Sequence, residues 1–352
     1  MLIQQELRKR GLKYLQESLF LKSTLSKMDS RIILNYDQIK SPKLNKIARQ
    51  CRGLILNGND YSLICRSFFR FLNLGESKED DAKFNWQEEV ICSEKADGSL
   101  INVYFFEDGW KISTRASFGI GLINDSQFTW EQLVLSRLNT KLLNKELTYT
   151  FELCSPYNKV VRIYPETSLF LLAVFRGWEE LSFSGVLSES SQIGIPTPET
   201  FSLFNTDEVI ELVNTKAKQN PQFEGVVLRD IHNNRIKCKS SEYIRLHKLS
   251  NNGNISSAKN IIPFIVDGEV DEIILHFPSL QPEVDRLTKM IDNAKKEIDN
   301  IWFCYHDTKN QKAFANAVSS SKYSGILFSA RKLSVHPLTL LNSEYLIKVL
   351  NE

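Results

Sequence analysis

A chain of 352 residues exceeds one ordinary hydrophobic core and points to two domains, and its 42% hydrophobic and 24% charged content excludes a disordered chain. Lys plus Arg total 44 against 42 Asp plus Glu; with a net charge of only +2, any contact with a polyanion has to come from a local basic surface. No apolar run reaches the roughly 18 residues of a membrane span, and the charged, amphipathic amino terminus lacks a signal peptide's apolar centre, so cytoplasmic residence is expected, in a host's cytoplasm if the source is viral.

Taken in chain order, residues 1 to about 28 read as one or two helices ending near the polar stretch 26–30. From there to about Lys248 short strand-like runs dominate, at 53–57, 89–94, 100–106, 110–114, 147–153, 169–175, 225–229 and 235–239. Glu107, Asp108 and Gly109 join two of them, and the glycine is expected to supply the positive φ of a hairpin turn. Helical stretches at 130–143 and 206–219 interrupt the strands, which favours an α+β domain with antiparallel sheets over a barrel or a doubly wound sheet.

The small polar segment 250–257 reads as a linker, and the domain boundary is set there. Beyond it Val284, Leu287, Ile291, Ala294, Ile298 and Ile301 form a helical stripe, with Pro282 suited to the first turn. A stripe so short, with an alanine inside it, fits packing in a helical bundle better than a coiled-coil dimer seam, and a monomer is expected. Cys51, Cys65, Cys92, Cys154, Cys238 and Cys304 show no CxxC pair and lie mostly in apolar runs, as buried free thiols do. His232, His247, His276, His306 and His336 have no metal-ligand spacing, so no zinc site is expected.

The peptide that carries chemistry is Ser93-Glu94-Lys95-Ala96-Asp97-Gly98-Ser99-Leu100, a lysine where a strand gives way to a polar turn. An ammonium group is no nucleophile; a neutral amine near pH 7 requires its pKa to fall, through burial or nearby positive charge. Such charge is at hand in Arg235, Lys237 and Lys239, which alternation puts on one face of a strand, with Ile236 and Cys238 on the other. Three cations on one face suit a polyphosphate, though an edge strand blunted by lysines gives the same pattern.

Two carboxylates, Glu152 within 147–153 and Glu224 at the head of 225–229, would complement them around a magnesium nucleotide; each alone is an ordinary strand-end charge. Arg52 stands at the mouth of a strand and Arg70 among Phe68, Phe69 and Phe71, where stacking on those rings and phosphate binding are equally open.

The order Lys95-Ala-Asp-Gly98, Phe151-Glu152, Glu224-Gly225, Lys237-Cys-Lys239 resembles the motif series of the covalent nucleotidyltransferases, which include DNA ligases, RNA ligases and messenger-RNA capping enzymes. Within that group it is most similar to the RNA ligase 1 family of T-even phages, the tRNA-repair type, through Cys51-Arg-Gly-Leu-Ile55, Phe71-Leu-Asn-Leu-Gly-Glu76, the peptide 151–161 and the peptide 239–248. The likeness covers about residues 45–250 well and is fainter from Lys312 to Lys332. It implies an adenylyltransferase domain of ATP-grasp-like ligase type at 1–250 and an all-helical carboxy-terminal domain at 251–352 that could set RNA or tRNA specificity.

The resemblance also implies an activity: ATP-dependent joining of 5′-phosphate and 3′-hydroxyl RNA ends through AMP on Lys95 and an adenylylated RNA, in RNA or tRNA repair beside an end-healing kinase/phosphatase. Magnesium, replaceable by manganese, would be held at Glu224. Lys95, Asp97, Lys237 and Lys239 would be catalytic; Arg52, Arg70, Glu94, Gly98, Arg115, Glu152 and Val174 would bind the nucleotide with them, and Tyr243 would contact substrate. Arg70 and Arg115 replace the lysines expected there, and Val174 stands at the base-stacking position, so the adenine sandwich is unassigned. A GTP-dependent capping guanylyltransferase and a catalytically idle RNA-binding relative are the alternatives; the helices after residue 251 speak against the first, because capping enzymes append an OB-type β domain.

Overall fold

The computed structural model describes residues 1–350 except 82, 85, 120, 124–125, 159–161, 163, 221, 242, 245–256, 269, 272–273, 275–277 and 309. Most of the expected linker, together with His247 and His276, lies outside the described residues. The chain divides into two compact units, Met1–His247 and Lys248–Glu352. Among the described residues no helix is long and apolar enough to cross a membrane.

The first unit's strands are β1 (Leu21–Leu25), β2 (Arg31–Tyr36), β3 (Arg52–Asn57), β4 (Leu63–Cys65), β5 (Leu72–Asn73), β6 (Val90–Glu94) and β7 (Ser99–Phe106). They continue with β8 (Gly109–Thr114), β9 (Thr148–Cys154), β10 (Ser168–Arg176), β11 (Glu179–Glu180), β12 (Thr200–Phe201), β13 (Gly225–Asp230) and β14 (Arg235–Lys239). Three sheets result, ordered β1-β2-β3-β4, β11-β10-β9-β7-β8 and β12-β6-β13-β14-β5. Pairing is antiparallel as expected, except that β14 runs parallel to β5.

The first helix spans Leu2–Leu19, broken at Gly11 (φ 79°), and seats Ile3, Leu7 and Leu15 against Leu21, Ile32, Leu34, Leu54 and Leu56 of the first sheet. It stops short of the expected residue 28. Phe20 turns left-handed at φ 53°, and 21–25 becomes a strand zipped to β2, where sheet pairing overrides local helical pattern. The β7–β8 hairpin also differs in detail: Glu107, at φ 56°, supplies the positive φ, and Gly109 already pairs with Phe106. The expected helix at 130–143 is a short helix, Trp130–Leu135, followed by a 3-10 turn at Thr140–Leu142, whereas Thr206–Gln219 forms as expected. Phe183–Ile193 is a helix that hydrophobic pattern did not reveal.

Four cysteines, Cys51, Cys65, Cys92 and Cys154, are buried and Cys238 is half-buried; Cys304 is exposed, against expectation. In the second unit the stripe of Val284, Leu287, Ile291, Ala294 and Ile298 lies buried on the helix Gln281–Tyr305. Its first half packs with Ile261, Ile262, Ile265 and Leu346, its second half with Phe314, Val318, Ile326 and Leu327. The stripe's partners are thus helices of the same chain, and the bundle is answered internally.

Candidate active site

Strand register assembles the site. β6 lies antiparallel to β13, with Val226 opposite Glu94, and Lys95 leaves the strand end donating its backbone N–H to the Gly225 carbonyl at 2.9 Å. On the other side of β13, Gly225 faces Lys239 and Val227 faces Lys237. Close approach explains the glycine: at φ 142°, a Cβ on Gly225 would lie 2.1 Å from the Cys238 carbonyl oxygen.

The Lys95 Nζ stands 2.7 Å from Glu224 Oε1, and Lys239 Nζ is 3.3 Å from the same oxygen. Burial acts most strongly, to lower the Lys95 pKa, and Lys239 adds to it, but the charge and hydrogen bond of Glu224 together with the Glu152 charge outweigh both, and the net direction is upward. This corrects the expectation of an amine kept unprotonated by surrounding cations. One carboxylate in direct contact stabilises the ammonium more than a single neighbouring lysine opposes it.

The turn after Lys95 is pinned from three sides. Asp97, buried, accepts from the Tyr243 hydroxyl at 2.8 Å and from the Arg162 backbone N–H at 2.6 Å, while its own N–H donates to the Tyr164 hydroxyl at 3.2 Å. Arg162 also reaches Glu94 through Nη1. Tyr243, expected at the substrate, is 3% exposed with its hydroxyl on Asp97, so it positions the turn from within the core. Gly98, expected at the nucleotide, instead permits close packing: a Cβ there would meet the Leu153 carbonyl oxygen at 2.3 Å. Arg162, Tyr164 and Tyr36 were missed by sequence reading, since none stands in a motif and their partners are far along the chain.

Beside Lys95 opens a hollow of about 740 Å³ including its mouth, lined on its apolar sides by Ile91, Leu172, Phe183, Pro198 and Val227 and on its polar side by Arg52 and Glu152. Burial first, then the neighbouring Glu224 charge, pushes the Glu152 carboxyl up to about 7 against the pull of Lys95 and Arg52. Arg52 lies over the Phe71 ring at 5.6 Å, and its Nη1 is buried without a hydrogen-bond partner. Such an orphan donor, next to a lysine pair, suits a phosphate oxygen.

A second knot of charge surrounds Tyr36. The Arg70 guanidinium lies over its ring at 4.4 Å and Arg115 at 5.8 Å. Burial would raise the Tyr36 phenol, but Arg52, Arg115, Arg70 and Lys237 together hold it below its usual value. Arg70 therefore does not stack on its aromatic sequence neighbours; it donates to the Gln38 and Ser41 carbonyls at 3.3 and 3.5 Å.

Arg235 also lines the hollow beside Lys95, but from the far end of β14, where it is paired with Glu180. One expected site residue lies elsewhere. Val174 is buried in the core with Leu169 and Leu171. Alternation along β10 puts Phe170 and Leu172 on the opposite face, but a bulge between Leu171 and Ala173 shifts the phase and turns Val174 inward.

A metal would find two carboxylates here, Glu224 and Glu152. Among the described residues no group of three or more His, Cys, Asp or Glu is arranged to hold one, so a hard cation would complete its shell with phosphate and water oxygens.

This arrangement can be compared with known proteins. A family model of the T4 type 1 class, described as RNA ligase, matches residues 50–244. A candidate bifunctional polynucleotide kinase/RNA ligase of Autographa californica nuclear polyhedrosis virus is 28% identical over 325 residues, covering 86% of this chain and 45% of its own. A candidate RNA ligase of Thermovibrio ammonificans is 29% identical over 133 residues, 36% of this chain and 34% of that protein. The chain thus spans less than half the length of both curated relatives. Among solved structures, an archaeal ATP-dependent RNA ligase in two forms shares the fold, at TM-scores of 0.53 and 0.52, 13% and 15% identity, 91% and 86% of this chain and 89% and 82% of that one. With more than half of its length matched by the family model, the chain belongs to the T4-type RNA ligase 1 family.

Proposed function

We propose that this protein is an ATP-dependent RNA ligase that carries AMP on Lys95 while joining a 5′-phosphate RNA end to a 3′-hydroxyl end. The observation that supports this most is the convergence of Lys95 and Lys239 on one Glu224 oxygen beside a hollow lined by Arg52 and Glu152. Before attack the ammonium must lose a proton, and the Glu224 oxygen at 2.7 Å is the acceptor in reach. The Lys95 nitrogen then bonds to the α-phosphorus as the bond to the β-phosphate oxygen breaks and pyrophosphate leaves.

Arg52, Arg115 and Lys237, gathered around Tyr36, neutralise phosphate charge, and Lys239 does so beside the lysine. Glu152 accepts from the ribose hydroxyls. Glu224 and Glu152 would hold magnesium, with manganese able to replace it. Bound there, the metal supplies further charge neutralisation at the phosphates. In the second step a 5′-phosphate oxygen of RNA takes the AMP and Lys95 regains its amine. In the third, a 3′-hydroxyl oxygen attacks that 5′-phosphorus, the phosphodiester forms and AMP leaves.

Cleaved tRNA is the substrate class proposed, in RNA repair, with the helical unit after residue 251 contributing RNA recognition. A healing kinase/phosphatase, on this or another polypeptide, supplies the two ends. The test is labelling with ATP or GTP tagged at the α-phosphate. A covalent adduct with ATP, absent in Lys95→Ala, is expected; an adduct with GTP alone would move the assignment to capping, and no adduct with either would leave an idle RNA-binding relative.

A further inference from the structure

A second hollow, of about 1180 Å³ including its mouth, opens at the other end of the β13–β14 hairpin and shares only Phe68, Phe71 and Arg235 with the one beside Lys95. Its walls carry six Lys or Arg side chains against two carboxylates, Asp80 and Glu180. Both carboxylates are already engaged: Asp80 accepts from Arg49 at 3.0 and 2.9 Å and from Lys83 at 2.6 Å, and Glu180 accepts from Arg235 and lies 3.4 Å from Arg229. The wall is therefore left with a cationic surplus.

Arg66 carries much of that surplus. It is 7% exposed and lies between the Phe69 and Phe175 rings, 4.4 Å from each centroid, donating only to the Trp178 and Ser67 carbonyls. Among the described residues no carboxylate lies within 4 Å of it. Burial holds its pKa down to about 10, yet it remains charged. The counter-charge that acts on it, Glu180, is shared with Arg229 and Arg235. A buried guanidinium so thinly compensated is costly, and an anion in the hollow would relieve that cost. At the rim, Lys46 and Lys83 are exposed and continue the positive surface outward. Cations interleaved with the aromatic faces of Phe69 and Trp178 are the pattern that holds unpaired nucleotides, phosphate on the cations and base on the rings.

We propose that this second hollow binds a phosphodiester and unpaired base of single-stranded RNA, gripping the substrate strand away from the end being joined. The proposal rests on the ligase reading of Lys95 for its substrate class, but its geometry is separate. A free mononucleotide offers the same chemistry, so the test distinguishes the two.

Full-length protein is first adenylylated with ATP, so that the Lys95 hollow is filled, and then titrated with a short fluorescent single-stranded RNA across several salt concentrations, with and without AMP as competitor. Lys46→Glu at the rim and Arg66→Gln in the wall are each expected to weaken RNA binding about tenfold and to flatten the salt slope by about one, with adduct formation within about twofold of wild type. Lys46→Glu, being exposed, guards against misfolding of the buried variant. Unchanged RNA affinity in both variants overturns the proposal, as does displacement of RNA by AMP at comparable concentration, which would mark a mononucleotide site. If the wild type forms no adduct, the ligase reading falls, while the same titration of unmodified protein still decides whether the hollow binds RNA.

Discussion

The two ends of the β13–β14 hairpin solve one electrostatic problem with different residues. At one end Glu224 sits between Lys95 and Lys239; at the other Glu180 sits between Arg229 and Arg235. Both carboxylates are about 95% buried at the side chain, and each is outnumbered two to one. A lysine can give up its proton when its partner carboxylate is drawn away, whereas a guanidinium stays charged at any physiological pH and holds a carboxylate by a rigid fork. The lysine end can therefore release a proton, whereas the arginine end can only hold its charge.

The sharpest break of this comparison exchanges the cations. Lys95→Arg keeps a charge opposite Glu224 but removes the deprotonatable amine, so the adduct with tagged ATP should fall by more than about a thousandfold while the thermal midpoint stays near wild type. Retention of adduct in that variant would refute Lys95 as the nucleophile. At the arginine end, Glu180→Gln strips the counter-charge from two guanidiniums of which each is 7% exposed at the side chain, and about 4 kcal/mol of stability should be lost in denaturant melts. A loss below about 1 kcal/mol would show that this end is solvated after all.

How far these ends could be read from sequence follows from how local their signals are. Lys95, Glu152, Glu224, Lys237 and Lys239 stand at strand ends or in short motifs, and the structure draws four of them, Lys95, Glu152, Glu224 and Lys239, into mutual electrostatic contact. The ion pair at the arginine end was not legible, because alternation along β14 gives Arg235 the same face as Lys239 and says nothing of Glu180, 55 residues earlier. Val174 failed for a related reason: a single bulge reverses every face beyond it, and no residue type marked it. Tyr36 and Arg162 act across distances in sequence that no periodicity spans. The helical stripe at 284–298 was legible because its partners needed no identity, only an apolar surface.

Backbone approach is a third difference between the ends. Gly225 lets β14 pass close to the Lys95 end, and Gly225→Ala would drive a Cβ to 2.1 Å from the Cys238 carbonyl oxygen at a φ of 142°. A cost of about 3 kcal/mol is expected, together with displacement of Glu224 and a fall in adduct formation. If adduct formation stays normal in the destabilised variant, the spacing of Lys95 and Glu224 does not depend on the glycine.

The smallest effect concerns Glu152, a second buried carboxyl at the lysine end. Its pKa is raised from the ordinary carboxyl value of 4.5 to about 7, chiefly by burial and then by the Glu224 charge. Below pH 4.5 the group is neutral in folded and unfolded chains alike and carries no penalty. As pH rises from there towards 7, the unfolded chain ionises freely while the folded one resists, so stability falls across that window and the loss is complete above it. Glu152→Gln removes the titrating group, so nucleotide-free variant and wild type should differ by about 2 kcal/mol more at pH 8 than at pH 4.5, with the variant the more stable at the higher pH. Urea midpoints at the two pH values measure this directly, and a difference independent of pH would mean that Glu152 is ionised in the folded protein throughout. If the expected gain appears, part of the stability given up at this end is the cost of keeping a second carboxyl buried beside Glu224.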